Sequence, residues 1–179
     1  MTHRAWMLAA LAIFLAAPAI ATAGSIRGIE ATLNTVFQKD QTSFSGVGLR
    51  LHVAGPASIP DMSFVPTMQY WSNRNNISAF GISSQRSDAA LGLETRYTFS
   101  TVSLQPYLGA SYGIHFMTDE VTTPATGSQS QTLTKGALGV LGGISVPLAG
   151  NLHNDFGLQY AFLGDRAQLK LDWGFRYAF

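Results

Sequence analysis

The sequence predicts an all-β protein, a transmembrane antiparallel up-and-down β-barrel of eight strands with ten as the alternative count, and three observations carry that prediction. The first is the end of the chain. Ala167, Leu169, Leu171, Trp173, Phe175, Tyr177 and Phe179 fall on one face, and Gln168, Lys170, Asp172, Gly174, Arg176 and Ala178 on the other. A period of two over that length is an extended strand, since a helix would scatter the same side chains around its axis. One wall suits lipid and the charged wall suits a polar barrel interior. The second is composition. Charged residues are 12% of the chain, against about 25% in soluble domains. Yet beyond the first 23 residues no apolar run approaches the roughly 18 residues of a membrane helix; the best stretch, Gly136 to Leu148, is short and glycine-rich. The third is the start of the chain. Arg4, an apolar core from Ala5 to Ala17, Pro18, and Ala21-Thr22-Ala23 before Gly24 have the layout of a secretory signal peptide with a small-residue cleavage site.

The expected organisation is therefore a signal peptide over residues 1–23 and one barrel domain over 24–179. Cleavage removes Arg4 and no acid, which leaves ten Lys and Arg against ten Asp and Glu, a formally neutral mature chain. Neutrality without a basic stripe excludes nucleic acid as a partner. The absence of cysteine excludes a lipoprotein anchor, disulfides and thiolate metal sites.

The first strand is expected over Gly28 to Gln38, with Ile29, Ala31, Leu33 and Phe37 opposite Glu30, Thr32 and Asn34; Ile26 to Phe37 also reads as an amphipathic helix. A polar segment, Lys39 to Ser45, leads to a second strand over Gly46 to Ala54, where Val47, Leu49, Leu51 and Val53 oppose Gly48, Arg50 and His52. After Gly55 to Asp61 the third runs from Met62 to Ser72 with Phe64, Met68 and Tyr70 outward. Pro66 lies inside it and has no N–H for a ladder, so a bulge or local distortion is expected there. Asn73 to Ser87, rich in Asn and Ser, reads as a long loop. The fourth strand, Asp88 to Ser100, sets Ala89, Leu91, Leu93, Thr95, Tyr97 and Phe99 against Ala90, Gly92, Glu94, Arg96 and Thr98.

A tight connection at Ser100 to Ser103 gives the fifth strand, to about Thr118, with Leu104, Leu108, Ala110, Tyr112, Ile114 and Phe116 outward and Gln105, Ser111 and His115 inward. Asp119 to Gln131 reads as another long loop. The sixth strand, Thr132 to Leu148, gives Leu138, Val140, Ile144 and Val146 one parity, and Ala149-Gly150-Asn151 is a hairpin signal. The seventh, Leu152 to Leu163, opposes Phe156, Leu158, Tyr160 and Phe162 to Asp155, Gly157, Gln159 and Ala161; Gly164-Asp165-Arg166 turns into the eighth. An even strand count puts both termini on one side, the periplasmic one.

The inward charges are then Glu30, Arg50, Glu94, Arg96, Asp155, Lys170, Asp172 and Arg176, four acids and four bases gathered toward the periplasmic half. Unpaired charge in a narrow low-dielectric lumen is costly and a mutually paired set is tolerated. Eight strands enclose a space that side chains fill, so the expectation is a salt-bridged plug. The alternative is a narrow porin-like channel for small solutes gated by those side chains. The aromatics at strand ends, Tyr70, Trp71, Tyr97, Phe99, Trp173 and Tyr177, read as interfacial belt residues.

No catalytic, cofactor or metal residues are assigned. Tyr70-Trp71-Ser72-Asn73 resembles the His-x-Ser-Asn motif of a lipid-acting barrel deacylase family, but Tyr70 occupies the histidine position, and Ser72 lacks a general base. His52, His115 and His153 lie on three strands without the spacing of a triad or of a His-x-x-x-His metal site.

The terminal strand resembles those of bacterial outer-membrane β-barrels, in which a final Phe behind alternating hydrophobics is read by the barrel-assembly machinery; the resemblance assigns that signal to Trp173, Phe175, Tyr177 and Phe179. The whole mature pattern is similar to the group of outer membrane protein X and the transmembrane domain of outer membrane protein A. That resemblance implies a monomeric barrel in the outer membrane of a Gram-negative bacterium, of structural or surface-interaction type and without enzyme activity. It implies lipid and lipopolysaccharide as surroundings, no cofactor, and Asn73 to Ser87 and Asp119 to Gln131 as contact surfaces. Unlike in the outer membrane protein A type, no periplasmic peptidoglycan-binding domain and no anchoring to the cell wall are expected.

Overall fold

The computed structural model describes residues 25–38, 43–77, 82–99, 104–124, 127–164 and 166–179. The expected signal peptide, the tight connection at Ser100 to Ser103 and parts of the three outer connections and the last turn lie outside the described residues. The chain forms eight antiparallel strands: β1 (Ile26–Gln38), β2 (Phe44–Ala54), β3 (Met62–Ile77), β4 (Ile82–Thr98), β5 (Gln105–Thr123), β6 (Gly127–Ala149), β7 (Leu152–Leu163) and β8 (Arg166–Ala178). Each pairs with its neighbour in sequence, and β1 pairs with β8 to close the barrel. Ile26 to Phe37 is strand and not helix.

Following the register once around the barrel shows its stagger. Gly28 faces His52; from the level of Val65 the row continues through Glu94, Ser111, Gly139, Ala161 and Gln168 and re-enters β1 at Gln38, ten residues further along. Such a stagger tilts the strands by about 35–45° and leaves a lumen of side-chain width. The alternation set by the sequence holds around the wall. Leu33, Val47, Leu108, Leu138, Val140, Phe162 and Leu171 are exposed on the outside, while Thr32, Arg50, Gln69, Glu94, Ser111, Asp155 and Lys170 are buried inside.

Two expectations are corrected, and one is narrowed. Asn73 to Ser87 and Asp119 to Gln131 are not loops over most of their length: β3 and β4 stay in register from Met62↔Tyr97 to Ile77↔Ile82, and β5 and β6 from Gln105↔Ser145 to Thr123↔Gly127. The ladder continues through the described residues of these segments without apolar alternation, as expected where a sheet rises above the lipid and both faces meet water. At Pro66 the expected disturbance is a local distortion of the ladder and not a bulge. Pro66 pairs with Leu93 on the β4 side, and the β2 side loses only the rows between Arg50↔Thr67 and Val53↔Phe64, with the register the same on either side of the gap. The register shifts fall instead at Ile26/Gly28 and at Pro147/Ala149. Trp71 is not a belt residue. It is 1% exposed and packs inside the barrel with Val36, Phe44 and Ala90.

The turns at the termini end are built from backbone hydrogen bonds. Ile59 N donates to Pro56 O at 2.9 Å and Met62 N to Ile59 O at 3.1 Å. Gly150, with φ of +56°, supplies the left-handed residue of the β6–β7 hairpin. Phe179 N donates to Arg27 O at 2.9 Å, which pins the last residue to the first strand.

Candidate functional site

The lumen holds two polar layers. In the one nearer the termini, Arg50 is the hub. Its Nη1 donates to Glu30 Oε1 at 2.8 Å and its Nη2 to Asp172 Oδ2 at 2.7 Å, with Glu94 Oε1 at 3.4 Å from Nη2. Arg96 donates twice to Glu94 Oε2, from Nε at 2.9 Å and Nη2 at 2.7 Å, and its guanidinium lies over the Tyr107 ring at 4.6 Å. Lys170 Nζ lies 3.4 Å from Asp172 Oδ2 and donates to Gln69 Oε1 at 2.9 Å. With its amide oriented to suit its neighbours, Asn34 donates to Asp172 Oδ1 at 2.7 Å. Six of the eight inward charges thus form one connected array. The other two pair beside it, Arg176 Nε at 3.2 Å from Asp155 Oδ2, and Arg176 Nη2 donates to Ser145 Oγ at 2.7 Å.

The backbone makes room for this array. Glu30 faces Arg50 directly across β1 and β2, but Asp172 and Asp155 lie on β8 and β7, beyond the β1–β8 seam. Gly174 removes the side chain that would block them: a Cβ there would lie 3.0 Å from Glu30 Cδ. Gly143 does the same for Tyr107, whose ring would meet a Cβ at 2.6 Å. Charges so enclosed repay their desolvation only by mutual pairing, and the array supplies it.

The outer layer was not legible as a site in the sequence. His115 Nδ1 lies 2.9 Å from Asp88 Oδ2, and the His115 ring meets Trp71 edge-on at 5.6 Å between centroids. Both belong to the inward rows of β4 and β5, which was the available signal; the pairing was hidden because it is diagonal, His115 standing opposite Ala90. His52 likewise has an acidic partner, its Nε2 lying 2.7 Å from Glu30 Oε2. His153 Nδ1 sits 3.5 Å from Ser145 Oγ. Ser72 shares the Tyr70 side of β3, opposite the inward side that carries Trp71 and Gln69, so the barrel wall separates it from the inward His115.

Between the layers lies a cavity of about 30 Å³ lined by Gln69, Trp71, Glu94, His115 and Lys170 among others, space for about one water. Below the Arg50 layer the barrel opens toward the termini as a cup of about 190 Å³. The aromatic face of β8 is continuous on the outside. Phe156 and Trp173 stack at 6.3 Å, Trp173 Nε1 donates to Asn154 Oδ1 at 2.7 Å, and Tyr177 meets Phe179 edge-on at 5.8 Å.

Among curated proteins none matches the chain. Solved structures do. Neisserial surface protein A of Neisseria aligns with a TM-score of 0.60 at 22% identity, covering 87% of this chain and 99% of that one. Ail, the attachment invasion locus protein of Yersinia pestis, in complex with the heparin analogue sucrose octasulfate, aligns at 0.56 with 18% identity over 88% of this chain and 100% of that one. A major outer membrane protein of Thermus thermophilus aligns at 0.55 with 18% identity over 85% and 98%. The model of the family described as Opacity family porin protein matches residues 61–179. With that match spanning most of the chain, from β3 to the terminal Phe179, the protein belongs to the Opacity family of porin proteins.

Proposed function

We propose that this outer-membrane barrel is a surface-interaction protein with a closed lumen, and that it contacts other polypeptides through the part of its sheet that stands above the membrane. The observation that carries the reading is an open strand edge. β6 pairs with β7 only from Leu138 onward, because β7 ends at Leu163 and turns; the ladder of Gly127 to Thr134 runs to β5 alone among the described residues. Unpaired N–H and C=O groups on an extended edge accept another strand. The edge from Ser128 to Thr134 has neither proline nor charge to repel one.

The lumen layer supports the closed state, since Arg50 and Glu94 are 2% and 3% exposed in the path of any solute. The family description supports a second reading, a narrow pore, which requires Arg50 to part from Glu30 and Asp172. The outward apolar rows fit lipid and lipopolysaccharide as surroundings, and Trp173, Phe175, Tyr177 and Phe179 fit recognition by the barrel-assembly machinery of a monomer. Refolded protein is expected to be silent in planar bilayers and to select extended peptides from a displayed library. Those peptides should be lost when Ser130 and Gln131 are both replaced by proline, with heat-modifiable gel mobility unchanged. Steady conductance, or peptides that ignore the prolines, defeats the reading.

A further inference from the structure

The cup at the termini end is walled by Arg27, His52, Asp61, Tyr107, Asp155 and Arg176, among others. At its inner wall three donors converge: Glu30, His52 and Asp155 each present one ligand atom, all within 4.8 Å of one another. They come from β1, β2 and β7 and are brought together by the space above Gly174. Asp155 is 2% exposed, its Oδ2 faces Arg176, and its Oδ1 has no hydrogen-bond partner. A buried carboxylate oxygen without a donor costs the fold free energy. Here it lines a cavity that opens to the periplasm.

We infer that Glu30, His52 and Asp155 bind a divalent transition-metal ion entering from the periplasm, with cup water completing its coordination. One imidazole nitrogen and two carboxylate oxygens suit Zn²⁺ and its neighbours in the first transition row; Ca²⁺ and Mg²⁺ take all-oxygen shells. Tetrahedral bonds of about 2.0 Å hold donors about 3.3 Å apart, so the 2.7 Å contact between His52 Nε2 and Glu30 Oε2 opens slightly to admit the ion.

Charge decides how the ion enters. The acids around the site are already balanced, so a dication must displace a cation. Among the described cations paired with these acids, Arg176 is the most exposed. Its side chain is 18% exposed at the mouth, whereas those of Arg50, Arg96 and Lys170 are 2%, 4% and 3% exposed. Arg176 is thus a tethered competitor: swung toward the periplasm it frees Asp155, and swung back it ejects the ion.

The test is calorimetric titration of Zn²⁺ into the full barrel refolded in detergent micelles, with gel mobility confirming closure of every variant. One ion per chain is expected. His52→Gln and Asp155→Asn, both isosteric, should each weaken binding by about tenfold or more, the scale on which lost support around a metal is felt. Arg176→Gln should tighten it, and His153→Gln should leave it unchanged. Zn²⁺ bound by neither the native barrel nor Arg176→Gln overturns the proposal. So does binding that survives both His52→Gln and Asp155→Asn, or that is lost with His153→Gln.

Discussion

Arg50 has three carboxylates within 3.4 Å while 2% of its side chain meets solvent. Replacing it with Met leaves Glu30, Glu94 and Asp172 buried with a cation too few, a change expected to cost about 3–5 kcal/mol. The check is the urea midpoint of vesicle-refolded protein followed by tryptophan fluorescence. Arg50→Lys should recover only part of the loss, since an ammonium lacks the fork that reaches Glu30 and Asp172 together. Gly174→Ala should cost about 1–3 kcal/mol through collision with the Glu30 carboxyl, and less in a Glu30→Ala background; a double-mutant cycle measures the difference. All eight inward charges were readable from strand parity alone, because parity needs only the period of two. Their partners were not. Asp172 meets Arg50 across β1, and a pairing that skips a strand leaves no mark in local spacing. For the same reason no close spacing in sequence marks Glu30, His52 and Asp155, residues adjacent in the lumen and far apart in the chain.

Each strand is legible where one of its faces meets lipid. β7 runs over the residues its alternation marks, Leu152 to Leu163. β3, β4, β5 and β6 run several residues past theirs, because above the membrane both faces are wet and the apolar signal vanishes while the backbone ladder continues. Trp71 shows a related ambiguity: an aromatic near an expected strand end looks like a belt residue, whereas its parity with Gln69 and Thr67 places it inward. The depth of a residue on the outer face sets what a charge costs there. Leu171→Arg, in the middle of β8 between Leu158 and Thr35, is expected to cost about 2–4 kcal/mol, and Leu152→Arg at the membrane edge about 0–1 kcal/mol. Equal shifts in the two urea midpoints would contradict that placement of the bilayer. Conversely, replacing residues 121–130 by a short turn should leave the midpoint unchanged, as Val121 to Thr123 and Gly127 to Ser130 lie beyond the rows where β6 pairs with β7.

Across the molecule, seven of the eight ladders join strands that are consecutive in sequence; the seam alone brings together residues as distant as Gly28 and Ala178. Local ladders form readily, and the long closure must wait for the last strand. The ion layer straddles this seam: Glu30 and Arg50 stand on one side, Asp172 and Lys170 on the other. Until β8 docks, Arg50 lacks Asp172. If β8 docks one residue out of step, its charged row turns toward lipid and its apolar row toward the lumen. The ion layer is therefore complete only when the final strand lies in the correct register, so that pairing of the buried charges and closure of the wall coincide.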